Sequence, residues 1–348
     1  MTAAPLDLNL RRYMRPLGGG THLTVWVALA LLVLFGALRY NNFLSINNVW
    51  TFLQYNSMFV LISVGMCLVI MTGGIDLSVG TVAALSSVVA ALLSSQGLEV
   101  ALPGGVATGL LVGAVNAGLI VGLRLPPFMA TLATMLAARG LALVLSGNRT
   151  VSVDWTTNFT RLGMNKIALG EEAPLAGLVN AVGAALPWTV VIAALVVLLA
   201  WYILERTSLG RTVLAVGGNA EAAHLMGLKT SRALAFTYLF SGACAGLAGV
   251  FLASGYGAGQ PLEGVGWELA AIASVVVGGT LLTGGMGSVP ATVAGALLFG
   301  LVFNLLNFEN GKGIISLSAH WQSVIRGAFL LIVILLQVRL ARPLTSKA

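Results

Sequence analysis

Charge is scarce in this sequence. Asp, Glu, Lys and Arg together make up 8% of its 348 residues, where a soluble globular protein carries roughly 25%. Eighteen basic and 11 acidic side chains cannot clothe a water-exposed surface on a chain this long. A soluble enzyme and a disordered chain are excluded on that ground. A nucleic-acid binder is excluded too, despite a net charge of +7, because no basic stripe with interleaved aromatics lies outside the apolar segments. Cysteine is nearly absent: Cys67 and Cys244 both sit in apolar runs, form neither a disulfide framework nor a CxxC pattern, and read as small core residues. The three histidines, His22, His224 and His320, are far apart and none has a second ligand nearby, so no metal or other cofactor is expected. No Gly-x-Ser-x-Gly elbow, His-Glu-x-x-His helix or phosphate-binding loop occurs; Lys229 precedes Thr230 but follows Leu228, and Lys312 is followed by Gly313. The chain is therefore no enzyme and has no ATP-binding motif of its own. If it moves a solute uphill, the energy comes from an ion gradient or from another subunit.

Apolar residues are abundant, at 58%, with a mean hydropathy of +0.96. The solvent for most of the surface is membrane lipid, and the fold class is an all-α polytopic membrane protein. A helix crossing about 30 Å of hydrocarbon needs about 20 residues. That ruler gives ten spans, at 22–39, 57–73, 78–96, 101–123, 126–146, 187–204, 233–254, 267–283, 288–306 and 322–340. The first follows an Arg-rich start but continues past the only small-x-small site, so it reads as an uncleaved span. With both termini cytoplasmic, Lys and Arg gather inside, at Arg11, Arg12 and Arg15, from Arg206 to Arg232, and at Arg339, Arg342 and Lys347. The chain then divides into a cytoplasmic tail (1–21), one transmembrane domain (22–340) with a cytoplasmic loop at 205–232, and a short tail (341–348).

Glycine numbers 43. The pairs Gly109 and Gly113, Gly118 and Gly122, and Gly242 and Gly246 have the spacing that lets helix backbones approach closely in lipid. A fainter pattern is an internal echo: Gly73-Gly74-Ile75-Asp76-Leu77-Ser78-Val79-Gly80 resembles the stretch Gly278 to Gly285, and each leads into an apolar span. Five-helix halves related by inversion, as in many transporters, would produce such an echo.

Few polar residues sit at membrane depth. Asp76 either lines a transport path at a broken helix or caps the third span, with its carboxylate accepting backbone N–H bonds; the two are compatible. Asn116 is suited to an interhelical hydrogen bond; Arg139 either faces an aqueous cavity or, the preferred reading, snorkels outward. Trp267 and Glu268 open the eighth span at the outer face, where an aromatic beside a carboxylate suits sugar stacking and hydroxyl binding, though interfacial Trp is common. In the loop from Glu205 to Arg232, Asn219 can cap a short helix with Glu221 in its first turn, and Gly227 can end it. That helix would have an apolar tip at Leu225 and Met226. It reads either as an interfacial helix lying on the bilayer or as a rigid knob for a cytoplasmic partner.

At this loop the sequence resembles a known family. Glu221-Ala222-Ala223 followed by Gly227 is similar to the coupling loop of ABC importer permeases, and four blocks resemble the ribose, xylose and galactofuranose permeases among them. The blocks are Thr72 to Gly80, Pro127-Phe128-Met129-Ala130-Thr131-Leu132 running to Ala138-Arg139-Gly140, Gly210-Arg211 through Gly217-Gly218-Asn219, and Glu268-Leu269 through Gly278-Gly279-Thr280 to Gly285. The similarity runs from about residue 45 to 340. Within the family, Leu225-Met226-Gly227, Gly264-Val265-Gly266 and Asn307-Phe308-Glu309-Asn310-Gly311 look most like galactofuranose permeases, while Ala270 stands where many relatives have a second acidic residue. The resemblance implies a bacterial inner-membrane subunit working with ABC ATPase subunits, a second permease chain and a periplasmic sugar-binding protein. It implies coupling residues at Gly210, Arg211, Asn219, Glu221, Ala222, Ala223 and Gly227. The substrate pathway is expected at Asp76, Asn116, Phe128, Thr131, Trp267 and Glu268. The alternative is an ion-coupled secondary transporter with Asp76 as its coupling site.

Overall fold

Runs of Leu, Val, Ala and Ile with no charge to break them fold as helices, since backbone polar groups in lipid must be satisfied within the segment. The computed structural model of the protein describes residues 18–167 and 186–311, with isolated positions between 318 and 331. Its helices are α1 (Gly18–Arg39), α2 (Ile46–Met71), α3 (Val79–Leu93), α4 (Leu98–Ala117), α5 (Pro127–Ser146), the short α6 (Arg161–Met164), α7 (Trp188–Arg206), α8 (Ser208–Gly218), α9 (Ala220–Leu225), α10 (Thr230–Tyr256), α11 (Trp267–Val277) and α12 (Val289–Gly311). Seven of the described helices are long and apolar enough to cross a membrane: α2, α3 with its 3-10 extension to Gln96, α4 with a π turn over Gly118–Gly122, α5, α7, α10 and α12. The apolar part of α1, Leu23–Arg39, is slightly shorter.

Most expected spans coincide with a helix to within a few residues. α2 differs by starting 11 residues early, at Ile46 rather than 57. Its first turns contain Asn48 and Asn56, which lower the hydropathy, yet Asn56 returns its amide to the Phe52 carbonyl and Ser45 caps the helix. The eighth span is a correction. α11 has 11 residues, about 16 Å of helix, and cannot cross alone. The chain reaches it through Ala258–Gly259, which pairs antiparallel with Val151–Ser152. It then runs along α3, where Gly259 lies against Ser87 and Val88 and Gly264 against Gly80. The expected tenth span, 322–340, lies outside the described residues but for isolated positions, and so do both tails but for residues 18–21, which open α1.

The core is built on α10, packed against α2, α3 and α4. On α4, Gly105, Gly109 and Gly113 meet α10 in reverse order, at Gly246, Gly242 and Tyr238, so the two helices run antiparallel with their backbones touching. This is what the spacing of Gly109, Gly113, Gly242 and Gly246 predicts. Gly118 and Gly122 do otherwise: a Cβ on either would meet no other element within 4 Å, and they belong to the π turn that ends α4. Cys67 and Cys244 are buried, as expected.

At one end of the bundle α1 and α12 are clasped. Tyr40 donates to Glu309 Oε2 at 2.6 Å, Arg39 lies 3.7 Å from Glu309 Oε1, and the Phe308 ring packs on both Tyr40 and Phe43. Phe308 and Glu309, two residues of a block that resembles galactofuranose permeases, therefore have a structural task.

Candidate functional site

Among the described residues, two helices begin inside the bundle rather than at its surface. α2 ends at Met71 in a left-handed glycine turn: Gly73 (φ 81°) and Gly74 return their N–H groups to Ile70 and Val69. The chain then doubles back to begin α3. Asp76 and Gly65 of α2 both meet Ser241 of α10. Gly65 is six residues before the end of α2, so Asp76 sits about 9 Å in from that end. α11 begins still deeper, its Trp267 ring 4.8 Å from Phe59, near the middle of α2. Trp267 and Glu268 are therefore at mid-helix depth and not at the outer face, because the extended segment 258–266 carries the chain inward before the helix starts.

The starts of α3 and α11 touch. A Cβ on Gly80 would overlap the Gly264 carbonyl, and one on Gly264 would overlap that of Gly80. Only paired glycines allow this approach, and Gly264 also has φ 81°. Glu268 Oε2 lies against Gly80, is buried and has no hydrogen-bond partner among the described residues. Arg139 on α5, itself exposed, is within electrostatic reach of this carboxylate. A carboxylate between two helix N-termini sits where the partial positive charges of both converge. Arg139 thus shares the field of Glu268, and its exposure is compatible with snorkelling.

Beside this junction lies a closed polar network. Asp76 Oδ1 accepts from Ser78 N at 3.0 Å and Ser78 Oγ at 2.6 Å, while Oδ2 accepts from Ser241 Oγ at 2.8 Å. Asn116 Nδ2 donates to Ser78 Oγ at 3.1 Å, and Thr134 Oγ1 donates to Asn116 Oδ1 at 2.7 Å. Thr131 Oγ1 bonds the carbonyls of Ile75 and Pro127. Asp76 thus has features of both readings: it bonds the backbone N–H that precedes α3, and it stands at a helix break. Asn116 makes the interhelical bonds expected of it. Asn116 and Thr131 are buried with their polar groups engaged, whereas Phe128 is exposed. Ser78, Thr134, Tyr238 and Ser241 escaped the sequence reading, because a lone Ser, Thr or Tyr in an apolar span gives no signal. Tyr238 is buried against Gly74, and its hydroxyl has no partner among the described residues.

The internal echo has a local cause. Gly279 (φ 86°) and Thr280 return their N–H groups to Val276 and Val275, the same turn that Gly73 and Gly74 make after α2, offset by one residue from the sequence match. The two loops touch, with Gly284 against Gly73.

At the end of the bundle where these loops lie, α8 and α9 form a projecting unit. Asn219 Oδ1 accepts from Ala222 N at 2.9 Å and caps α9, and Gly227 (φ 80°) ends it, as expected. Ala223 is buried, while Arg211, Glu221, Ala222, Leu225 (81% exposed) and Met226 (70% exposed) face outward. α8 is wedged inward. Gly210 abuts the Leu204 carbonyl, and a Cβ on Gly217 would overlap the Met71 carbonyl oxygen and Gly285 N. Gly217 thus joins the projecting unit to the end of α2 and to the loop after α11.

Residues 48–334 match a family model described as "Branched-chain amino acid transport system / permease component". The chain is 36% identical over 313 residues to the ribose import permease protein RbsC of Escherichia coli K12, covering 89% of this chain and 91% of that one. It is 33% identical over 314 residues to the D-allose transport system permease protein AlsC of the same organism (88% of each chain). It is also 33% identical over 317 residues to the fructose import permease protein FruG of Bifidobacterium longum (89% and 88%). No solved structure matches.

Proposed function

This chain belongs to the permease-component family matched over residues 48–334, and on that premise we propose that it is the membrane-spanning subunit of a bacterial ABC importer for a monosaccharide. It is a multi-pass protein of the inner membrane, and it has no ATP-binding motif and no enzymatic role. Energy comes from separate ABC ATPase subunits, sugar from a periplasmic binding protein, and a second permease chain completes the path. Ribose, allose and fructose permeases among the relatives support the substrate class. The finer assignment, a galactofuranose-type substrate, rests on the blocks at Leu225–Gly227, Gly264–Gly266 and Asn307–Gly311. Of these, Gly264 and Glu309 have packing tasks that would hold whatever the sugar is.

Ten crossings with both ends cytoplasmic, in one transmembrane domain spanning 22–340, fit the charge distribution. They also fit the alternating directions of the helices, with α11 and the extended segment before it forming the eighth crossing. The inverted five-helix repeat gains little from the echo, which a shared turn accounts for. The ion-coupled alternative is set aside, since the hydrogen bonds to Asp76 come from Ser78 and Ser241 and no relative named above is such a carrier.

The observation that carries the mechanism is the projecting α8–α9 unit and its contact through Gly217. ATP binding closes the ATPase dimer, the closing surfaces move α9, and α8 passes the movement to the end of α2 and the loop after α11. The deep starts of α3 and α11 then shift relative to one another, and the path opens outward. Gly210, Arg211, Asn219, Glu221, Ala222, Ala223 and Gly227 serve this coupling. Asp76, Asn116, Phe128, Thr131, Trp267 and Glu268 line or shape the path.

Two outcomes test this reading. Leu225→Glu with Met226→Glu removes the apolar tip without touching the core, so the membrane chain should be recovered intact while co-purification with the ATPase is lost. Retained association would remove α9 from the interface. Gly227→Val has open space around it but forces a left-handed backbone on a branched residue, at a cost of about 1–2 kcal/mol. Uptake should fall sharply with membrane insertion unchanged, and normal uptake would sink the coupling assignment.

A further inference from the structure

At the opposite end of α10 from the projecting unit lies a cavity of about 160 Å³. Its lining includes Thr51, Gln54 and Tyr55 of α2, Gly163 of α6, Thr189 of α7 and Tyr256 of α10. The cavity is well below the roughly 300–1,000 Å³ of drug-sized sites and accepts one small polar molecule. Thr189 is only 2% exposed, and its hydroxyl is buried with no partner among the described residues. Gln54 is anchored by donating to the Gly163 carbonyl. The Tyr256 and Tyr55 hydroxyls are hydrogen-bonded to each other, and both rings are exposed at the rim. Met58, Phe251 and Gly255 complete the lining, so apolar walls stand beside these hydrogen-bonding groups.

From the rim an aromatic series leads inward. The Tyr55 ring is 5.6 Å from Phe59, and Phe59 is 4.8 Å from Trp267, whose neighbour in sequence is Glu268. Tyr55 and Phe59 are one helical turn apart on α2, so their rings follow one face towards the junction of α3 and α11.

We propose that this cavity is the first resting place of the monosaccharide on the permease, and that the rings of Tyr55, Phe59 and Trp267 form the track from it to Glu268. The proposal rests on the sugar-import reading above. A sugar ring has an apolar C–H face that lies on an aromatic face and a rim of hydroxyls that exchange partners. Thr189, Gln54 and Thr51 supply hydrogen-bonding groups at the start, and the unpartnered oxygen of Glu268 accepts at the end. The cavity lies one α10 length away from α9, roughly 40 Å by helix rise, hence on the side from which a binding protein would deliver. A volume of about 160 Å³ is nearer to that of one monosaccharide than to that of a disaccharide.

The test is thiol accessibility in the assembled importer. Cys67 and Cys244 are buried, so Thr51→Cys adds one reactive site, probed in right-side-out vesicles with a membrane-impermeant methanethiosulfonate. D-Ribose, D-allose, D-fructose or D-galactofuranose, whichever the unmodified importer takes up, should slow labelling, by about fivefold when present at four times its dissociation constant. Sucrose at equal osmolarity should not. Thr189→Val, which keeps the shape and removes the hydroxyl, should leave labelling without sugar unchanged and weaken the protection. An unreactive Cys at position 51, or equal effects of sucrose and the transported sugar, would overturn the site. So would full protection in Thr189→Val. Failure of the unmodified importer to take up any of the four would instead sink the import reading, and this site with it.

Discussion

Replacing Gly109 by Leu is expected to abolish recovery of folded, monodisperse protein, while Gly118→Leu should leave recovery near the original level. Both glycines are on α4 or its immediate continuation, and both belong to pairs spaced four apart. They differ in what stands opposite. A Cβ on Gly109 would overlap the carbonyl oxygen of Gly242 and come within 2.7 Å of Gly246 backbone atoms, whereas one on Gly118 would meet no other element within 4 Å. Overpacking a core usually costs about 1–3 kcal/mol because side chains yield. Here the obstacle is the backbone of α10, the helix on which α2, α3 and α4 all pack, so the cost lies at the upper end or beyond. A native margin of about 5–15 kcal/mol cannot absorb much of that. Size-exclusion profiles of the two variants in mild detergent decide the matter, and equal profiles would remove the α4–α10 contact from the core.

The second large effect is expected at Asp76. Asp76→Ala leaves Ser78 N, Ser78 Oγ and Ser241 Oγ without their shared acceptor in a buried site. Each group left unpaired costs about 1–3 kcal/mol. The variant should lose most of its thermal stability and all uptake. Asp76→Asn keeps the shape and one acceptor oxygen for Ser78, and the Ser241 hydroxyl can turn to accept from the new amide. Its stability should be close to the original. Thermal-shift curves for the pair show whether the network holds the helix break. Unchanged stability in the Ala variant would refute that role, and a stable Asn variant that no longer transports would mean that the charge itself serves the path.

Much of the fold was legible in the sequence because the bilayer imposes one simple rule: a span must be apolar for about 20 residues. Eight of the ten expected spans lie on helices of the structure, since no other arrangement satisfies their backbone in lipid. The cap at Asn219 and the stop at Gly227 were legible for a similar reason, being local chemistry settled within a few residues. The glycine pairs were legible only as a class. Spacing allows close approach, but which helix arrives opposite is decided elsewhere in the chain, and so Gly109 and Gly242 found each other while Gly118 and Gly122 found nothing.

The site belongs to the second category. Hydropathy treated 267–283 as one span, because it averages composition and cannot tell an 11-residue helix from a full crossing. Only the packed structure placed Gly264 on Gly80, brought Glu268 to the start of α3, and set the Trp267 ring against Phe59 on a helix some 200 residues earlier. The partners of Asp76 show the same division. Ser78 is two residues away in the chain, whereas Ser241 lies 165 residues on and reaches Asp76 only through packing. The sequence determined that this chain lives in a membrane, which segments are helical and which ends are capped, because those follow from each segment's own solvation and backbone. The tertiary structure decided which helices start deep, what their starts touch and where a cavity opens, because those depend on groups that meet only when distant segments pack.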